Sequence, residues 1–244
     1  MEKENIKVFK NIDQLSVFLG EQMINLINQK QENDFLSIAL SGGSTPKAIF
    51  RYLSVHFREK IDWKKILFFW GDERCVSPDN EESNYKMTRE SLFNFIPVPD
   101  ENIFRVFGEN EPFAEAERYS EIAKNKLKTI DGVPCFDLML LGLGDDGHTA
   151  SIFPGNDKVI KTEKIYDVAQ NPYSGQKRIT ATLTTINASK KVIFLVTGQN
   201  KSEMVFRILN EKETQRTLPA SMINPQSGEL FWFLDEMAAK NLKL

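Results

Sequence analysis

Three short segments hold most of the residues whose types and spacing suit chemistry. They are Ser41-Gly42-Gly43-Ser44-Thr45-Pro46, Gly71-Asp72-Glu73-Arg74, and the run from Gly142 through Gly144-Asp145-Asp146-Gly147-His148 to Ser151. His148 is the focus. It is one of 2 histidines in the chain, and imidazole titrates near neutrality, so it can take a proton and return it within one turnover. Asp145 or Asp146 could fix its tautomer, as an acidic partner does in hydrolytic triads, and Asp72 is a third candidate for that task. The alternative is a structural histidine bonded to loop carbonyls. Two adjacent carboxylates and a glycine-bounded turn favour function. His56, in Leu53-Ser54-Val55-His56, reads as a surface residue near a helix end, where the dipole suits it.

Around that histidine the other two segments supply an anion site. Gly42 and Gly43 let a ligand approach the backbone closely, and Ser44 and Thr45 add hydroxyls. A helix starting near Pro46 would offer free N–H groups and the positive end of its dipole. The pattern is neither a Walker A loop nor a Gly-x-Gly-x-x-Gly fingerprint; a capped turn is the plain alternative. Arg74 presents a planar fork suited to carboxylate or phosphate. Asp72 could orient a catalytic group or bind sugar hydroxyls, unless the two simply pair and close the loop. Arg178 and Lys201 are the cations that would complete the pocket; exposed basic residues are also common on any surface. Two histidines and two cysteines without ligand spacing argue against a zinc site. No Gly-x-Ser-x-Gly elbow is present, which disfavours a serine acyl-enzyme. Attack by a base-activated water remains.

These segments must be carried by a scaffold. The 244 residues, 41% hydrophobic and 27% charged, suit one α/β domain spanning 1–244. A net charge of −3 gives no general attraction to nucleic acid or to an anionic membrane. The most apolar runs are strand-length, far short of the ~20 residues of a spanning helix. The polar start Met1-Glu-Lys-Glu-Asn has no apolar core of a signal peptide. Cys75 and Cys135 read as free thiols in a reducing compartment, so the expected address is cytoplasmic.

Periodicity predicts a strand over 6–9 and a helix from 12 to about 28. It then predicts a strand over 35–40, a helix from 46 to about 57 and a strand over 65–70. Ser83 should cap a helix to about 94. A helix over 111–130 and a buried strand over 136–141 follow, with a helix start at Thr149. Later strands are expected over 178–183, 191–197 and 230–234. Gly198 should open a helix to about 209, and Asp235 should cap a terminal one. Continuous apolar strands alternating with helices predict an α/β fold with a mostly parallel sheet and helices on both faces. Ligands bind such sheets beyond the carboxyl ends of the strands, where all three polar segments fall.

With these residues assembled, the chain resembles the glucosamine-6-phosphate isomerase/6-phosphogluconolactonase family. Matching runs are Ser-Gly-Gly-Ser-Thr-Pro at 41–46, Gly-Asp-Glu-Arg-Cys-Val at 71–76 and Ser83-Asn84-Tyr85. The run from Gly142 to Pro154 is the most specific. Arg178-Ile179-Thr180, Thr197-Gly198 with Lys201, and Leu218-Pro219-Ala220 with Trp232 and Asp235 complete the set. Ser77 stands where a second proline is usual, and Asp145 where the family often has Glu. The resemblance implies a Rossmann-like α/β fold and hydrolysis of 6-phospho-D-glucono-1,5-lactone without metal or nucleotide cofactor, a step of the oxidative pentose phosphate pathway. It places the catalytic histidine on His148, the Asp-x-Arg pair on Asp72 and Arg74, and the phosphate loop on Gly42, Gly43, Ser44 and Thr45, with Arg178 and Lys201 as basic contacts. The expected partner is a small sugar-phosphate lactone, with neither nucleic acid nor membrane, in a monomer or weak homodimer. The nearest rival, glucosamine-6-phosphate deaminase, resembles His-Ile-Ala-Phe-Asn-Glu-Pro at the third segment, and the carboxylate of that run is missing here. A non-catalytic sugar-phosphate sensor is the rival from another class.

Overall fold

In the computed structural model, which describes residues 5–211 and 217–243, strands and helices alternate along the chain; the polar start at 1–4 lies outside that range. The first half contains β1 (Ile6–Phe9), α1 (Ile12–Asn28), β2 (Leu36–Leu40), α2 (Ser44–His56), β3 (Ile66–Trp70), β4 (Asp72–Arg74), α3 (Asn84–Ser91) and α4 (Pro112–Lys126). A small hairpin, β5 (Thr129–Ile130) and β6 (Val133–Pro134), leads to β7 (Leu138–Leu141). The remainder holds α5 (Asp157–Ile160), β8 (Tyr166–Gln170), β9 (Lys177–Ala181), α6 (Leu183–Asn187), β10 (Lys191–Val196), α7 (Ser202–Asn210) and β11 (Glu229–Asp235).

Six strands form a parallel sheet in the order β1-β11-β10-β7-β2-β3. β2 and β7 are buried along their whole length, which is why they read as apolar runs, interrupted only by Ser37 in β2: both faces are covered by helices. Large aromatic side chains fill the layers, among them Trp63, Trp70, Trp232, Tyr119 and Tyr166, each nearly inaccessible. Among the described residues no helix is long and apolar enough to cross a membrane.

Helix starts follow local chemistry. Asn11 accepts from Gln14 N–H, Ser83 from Lys86 N–H, and Glu111 from Ala114 N–H with Pro112 next to it, so each satisfies an otherwise orphaned donor. α2 has no such side-chain cap; Gly43 stands at its start.

The chain changes sheets at Gly71. Gly71 N–H still bonds Leu40 O, while its carbonyl accepts from Ala181 N–H of the second sheet. That sheet is antiparallel, in the order β4-β9-β8. β3 is an edge strand, so Trp70 lacks a ladder partner on one side. Tyr119 Oη accepts from Trp70 N–H, and Tyr166 Oη donates to Trp70 O, both at 2.9 Å. Two buried tyrosine hydroxyls therefore close the backbone bonds that the edge leaves open.

Several expected elements differ. α4 ends at Lys126, because Asp131 (φ 52°) and Gly132 (φ 79°) form the tight turn of the β5–β6 hairpin. No helix starts at Thr149: Ala150 has φ 48°, and Thr149 pairs with Ile152 in an isolated bridge. Among the described residues no terminal helix follows Asp235; its carboxylate takes Gly198 N–H and Ala238 N–H, and turns follow. The 177–181 strand lies in the small sheet, not the large one. α2 begins two residues before Pro46, so Ser44 and Thr45 belong to its first turn.

Candidate active site

Strand order reverses between β2 and β7, and the crevice of a doubly wound sheet opens at such a point. The segments after β2, β3, β7 and β10 converge there on a cavity of about 260 Å³. Gly42, Gly43, Asp72, Arg74, His148, Arg178 and Lys201 all line it.

His148 sits at the end of a tight turn. Gly147 has φ 83° and donates to Gly144 O, and Gly144 N–H returns to His148 O. A Cβ on Gly147 would press on Leu218, and Ala220 N–H bonds Gly147 O, so the 218–220 segment braces the turn from outside. The turn directs the two carboxylates apart. Asp146 Oδ1 faces His148 Nδ1 at 2.5 Å and also accepts from His148 N–H at 3.0 Å. Asp145 instead pairs with Lys201 Nζ at 2.5 Å. The imidazole leans on buried Phe153, with ring centroids 4.7 Å apart. Burial alone would push the Asp146 carboxyl up. The bonds from His148 and from Tyr173 outweigh it and hold Asp146 below the ordinary aspartate value. With Asp146 ionised, Nδ1 carries the proton and Nε2 keeps a free lone pair.

Asp72 does not pair with Arg74. Its Oδ2 accepts from the buried Ser151 hydroxyl at 2.6 Å, and Asn84 Nδ2 donates to its carbonyl at 2.9 Å. Glu73 points inward. Its carboxylate accepts the Ser83 hydroxyl and the N–H groups of Arg74, Asn84 and Tyr85, anchoring the start of α3. Burial raises its pKa, although those N–H groups oppose the rise.

Arg74 and Arg178 face each other across the β4–β9 ladder. Arg74 Nη1 donates to Glu82 O, and its buried Nε has no acceptor. Arg178 donates to Gln176 Oε1 and, at 3.4 Å, to Ser151 Oγ. Among the described residues neither guanidinium has a carboxylate partner. Burial, and then the charge of Arg74, lower the pKa of Arg178. Like charges opposite one another in a sheet repel, so the pair forms a standing demand for an anion.

Ser44 and Thr45 are placed differently from the rest. Ser44 is exposed at the first position of α2, and the Thr45 hydroxyl is shared with Thr197 at 2.7 Å. Neither lines the cavity; what this segment offers is the backbone at Gly42 and Gly43 and the uncapped start of α2. Gly42 is also sterically required, since a Cβ would fall 1.8 Å from Asn84 Oδ1. Sequence reasoning missed two contributors. Asn84 appeared only within a matching run, and Tyr173 gave no signal, although its hydroxyl reaches Asp146 Oδ2 at 3.0 Å. Among the described residues no three His, Cys, Asp or Glu side chains group as a metal site.

The family described as glucosamine-6-phosphate isomerases/6-phosphogluconolactonase matches residues 10–232. A 6-phosphogluconolactonase of Aggregatibacter actinomycetemcomitans is 41% identical over 213 residues, 87% of this chain and 90% of that one. The crystal structure of the devB protein superposes with a TM-score of 0.92 at 41% identity, covering 98% of this chain and 99% of the other. The 6-phosphogluconolactonase of Trypanosoma cruzi gives 0.84 at 31% identity, over 98% and 97% of the two chains.

Proposed function

This chain belongs to the glucosamine-6-phosphate isomerase/6-phosphogluconolactonase family, and we propose that it hydrolyses 6-phospho-D-glucono-1,5-lactone to 6-phospho-D-gluconate with His148 as general base. One observation carries this reading: an imidazole oriented by Asp146 shares a cavity with two guanidiniums that lack carboxylate partners. A base and an anion site are what hydrolysis of a phosphorylated lactone needs.

In this reading the 6-phosphate rests against Gly42 and Gly43 at the positive end of α2, with Arg178 and Lys201 closing on it. Ser44 and Thr45 contribute through the helix start, not their hydroxyls. Anchoring positions the lactone for attack. His148 Nε2 removes a proton from water as the water oxygen bonds to C1, and the C1=O π pair moves to the carbonyl oxygen. Asp146 stabilises the imidazolium that forms. The oxyanion accepts from the Arg74 guanidinium, which lines the cavity. Collapse breaks the bond from C1 to the ring oxygen, and Nε2 returns its proton to that oxygen. Asp72, which Ser151 and Asn84 hold in the cavity wall, receives sugar hydroxyls in this reading. The apolar cluster that is continuous around the large sheet supports treating 1–244 as one domain; a cytoplasmic monomer or weak homodimer belongs to the same proposal.

Lactone turnover, corrected for spontaneous hydrolysis, tests it. His148→Ala should lose roughly 10²–10⁴-fold in rate while still binding 6-phosphogluconate. Undiminished turnover overturns the mechanism. Ammonia release from glucosamine 6-phosphate by the wild type, without lactone turnover, would replace it with a deaminase. Binding without turnover of either substrate would leave a sensor.

A further inference from the structure

Asp146 has two oxygens, and the catalytic reading uses one. Oδ1 takes both donors of His148; Oδ2 accepts the hydroxyl of Tyr173, which the proposed mechanism does not involve. The geometry points to Tyr173 as a positioning residue for the proposed reaction, its hydroxyl fixing the carboxylate that orients His148. This inference rests on the reading of His148 as the base.

Packing does not account for the side chain. Tyr173 is 77% exposed, and a tyrosine ring left in water contributes little to stability. The turn carrying it is nevertheless held tightly. Asn171 Oδ1 accepts from the N–H groups of Tyr173 and Ser174, at 2.8 and 3.1 Å. Gly175, at φ 72°, donates to Asn171 O, and Asn171 N–H bonds Gln176 O. Gln176 Nε2 donates to Glu82 Oε2, and the Glu82 carbonyl is the acceptor of Arg74 Nη1. A rigid turn thus delivers one exposed phenol to one carboxylate, and it is tied to the loop that holds Arg74.

The hydroxyl acts in two ways. A donor on Oδ2 sets the plane of the carboxylate, so Oδ1 stays aligned with Nδ1. It also draws charge from Asp146 and moderates the pull of that carboxylate on the imidazolium. The other charged groups near the pair are accounted for otherwise: Asp145 and Lys201 pair with each other, Asp72 is bonded to Ser151 and Asn84, Arg74 donates to the Glu82 carbonyl, and Arg178 lies over the Phe153 ring and donates to Gln176 and Ser151. None of these donates a hydrogen bond to Asp146 among the described residues. Tyr173 does not line the cavity, so substrate affinity should not depend on it.

The test is Tyr173→Phe, which removes only the oxygen. Expected are a kcat lower by about three- to tenfold, the range one hydrogen bond supports, an unchanged KM, and an acid limb of kcat/KM displaced to higher pH. The chain has 2 histidines, so proton NMR titration of His148 has His56 as internal reference. In Tyr173→Phe the His148 midpoint should rise and that of His56 should stay. Tyr173→Ala should behave like Tyr173→Phe; wild-type behaviour of Tyr173→Phe with loss only in Tyr173→Ala would make the ring a cover and overturn the inference. A wild-type kcat, pH profile and His148 midpoint in Tyr173→Phe would overturn it as well. If the wild type proved inactive on the lactone, the functional reading would fall, while the NMR titration would still decide whether Tyr173 acts on the Asp146–His148 pair.

Discussion

His148 lies so close over Gly144 that a Cβ added there would stand 2.0 Å from Nδ1. The backbone of Gly144 is not in the left-handed region, so Ala should fold there, and the ring is what must give way. Gly144→Ala should therefore retain thermal stability to within a few degrees and lose turnover by roughly 10²-fold, as ~1 Å misplacements of catalytic groups do. Because both changes act on one imidazole, Gly144→Ala combined with His148→Ala should be no slower than His148→Ala alone. Multiplying losses in the double variant would show that the glycine acts elsewhere. At this scale the sequence names the histidine and its two candidate carboxylates but not the choice between them. That choice depends on the turn at Gly147, which aims Asp146 at the ring and Asp145 at Lys201. Tyr173 was illegible for a simpler reason: it meets Asp146 across 27 residues of chain, through a hairpin whose existence was not read from the pattern.

The elements show where periodicity succeeds. Apolar strands and amphipathic helices are legible because each repeats its own pattern over several turns or residues: α1, β10 and α7 fall close to where expected. β4, with three residues of charged sequence, and β8 have no such pattern, and their pairing with β9 is a long-range event. Yet that small sheet is what sets Arg74 opposite Arg178. Unbridged like charges directly opposite one another across a ladder destabilise it, and the Arg178 guanidinium is already disfavoured by burial and by Arg74. Arg178→Gln should thus leave the ligand-free protein as stable as the wild type or slightly more so. A bound anion reverses the comparison. At about 100 times Kd, a ligand stabilises its protein by ~2.7 kcal/mol, or roughly 5–10 °C for a chain of this size. Thermal melts with 6-phosphogluconate should show that gain in the wild type and a much smaller one in Arg178→Gln. Equal shifts in the two proteins would mean that Arg178 does not hold the phosphate.

For the molecule as a whole, site and stability are set at opposite ends of the sheet. Asp137, just before β7, is buried at the end remote from the cavity. Its carboxylate accepts from Ser37 N–H and hydroxyl in β2, and pairs with Lys30 at 2.6 Å and Lys190 at 2.9 Å. One side chain therefore joins the segment after α1, β2, the start of β7 and the residue before β10. Burial alone would raise its pKa, but the bonds from Lys30, Ser37 and Lys190 outweigh that and hold it below the ordinary aspartate value. A depressed pKa means that the stabilisation is complete above the ordinary aspartate range and is lost as pH falls through the folded-state value. Asp137→Ala removes the acceptor and leaves Lys30, with 17% of its side chain exposed, without its partner. Losing one member of such a pair costs about 2–4 kcal/mol, or roughly 5–15 °C in Tm at pH 7. Lactone turnover at 25 °C should be unchanged, since no atom of this cluster reaches the cavity. The Tm difference between Asp137→Ala and the wild type should narrow as pH is taken from 7 to below about 4. A difference that stayed constant across that range would show that Asp137 contributes through packing, not through its charge.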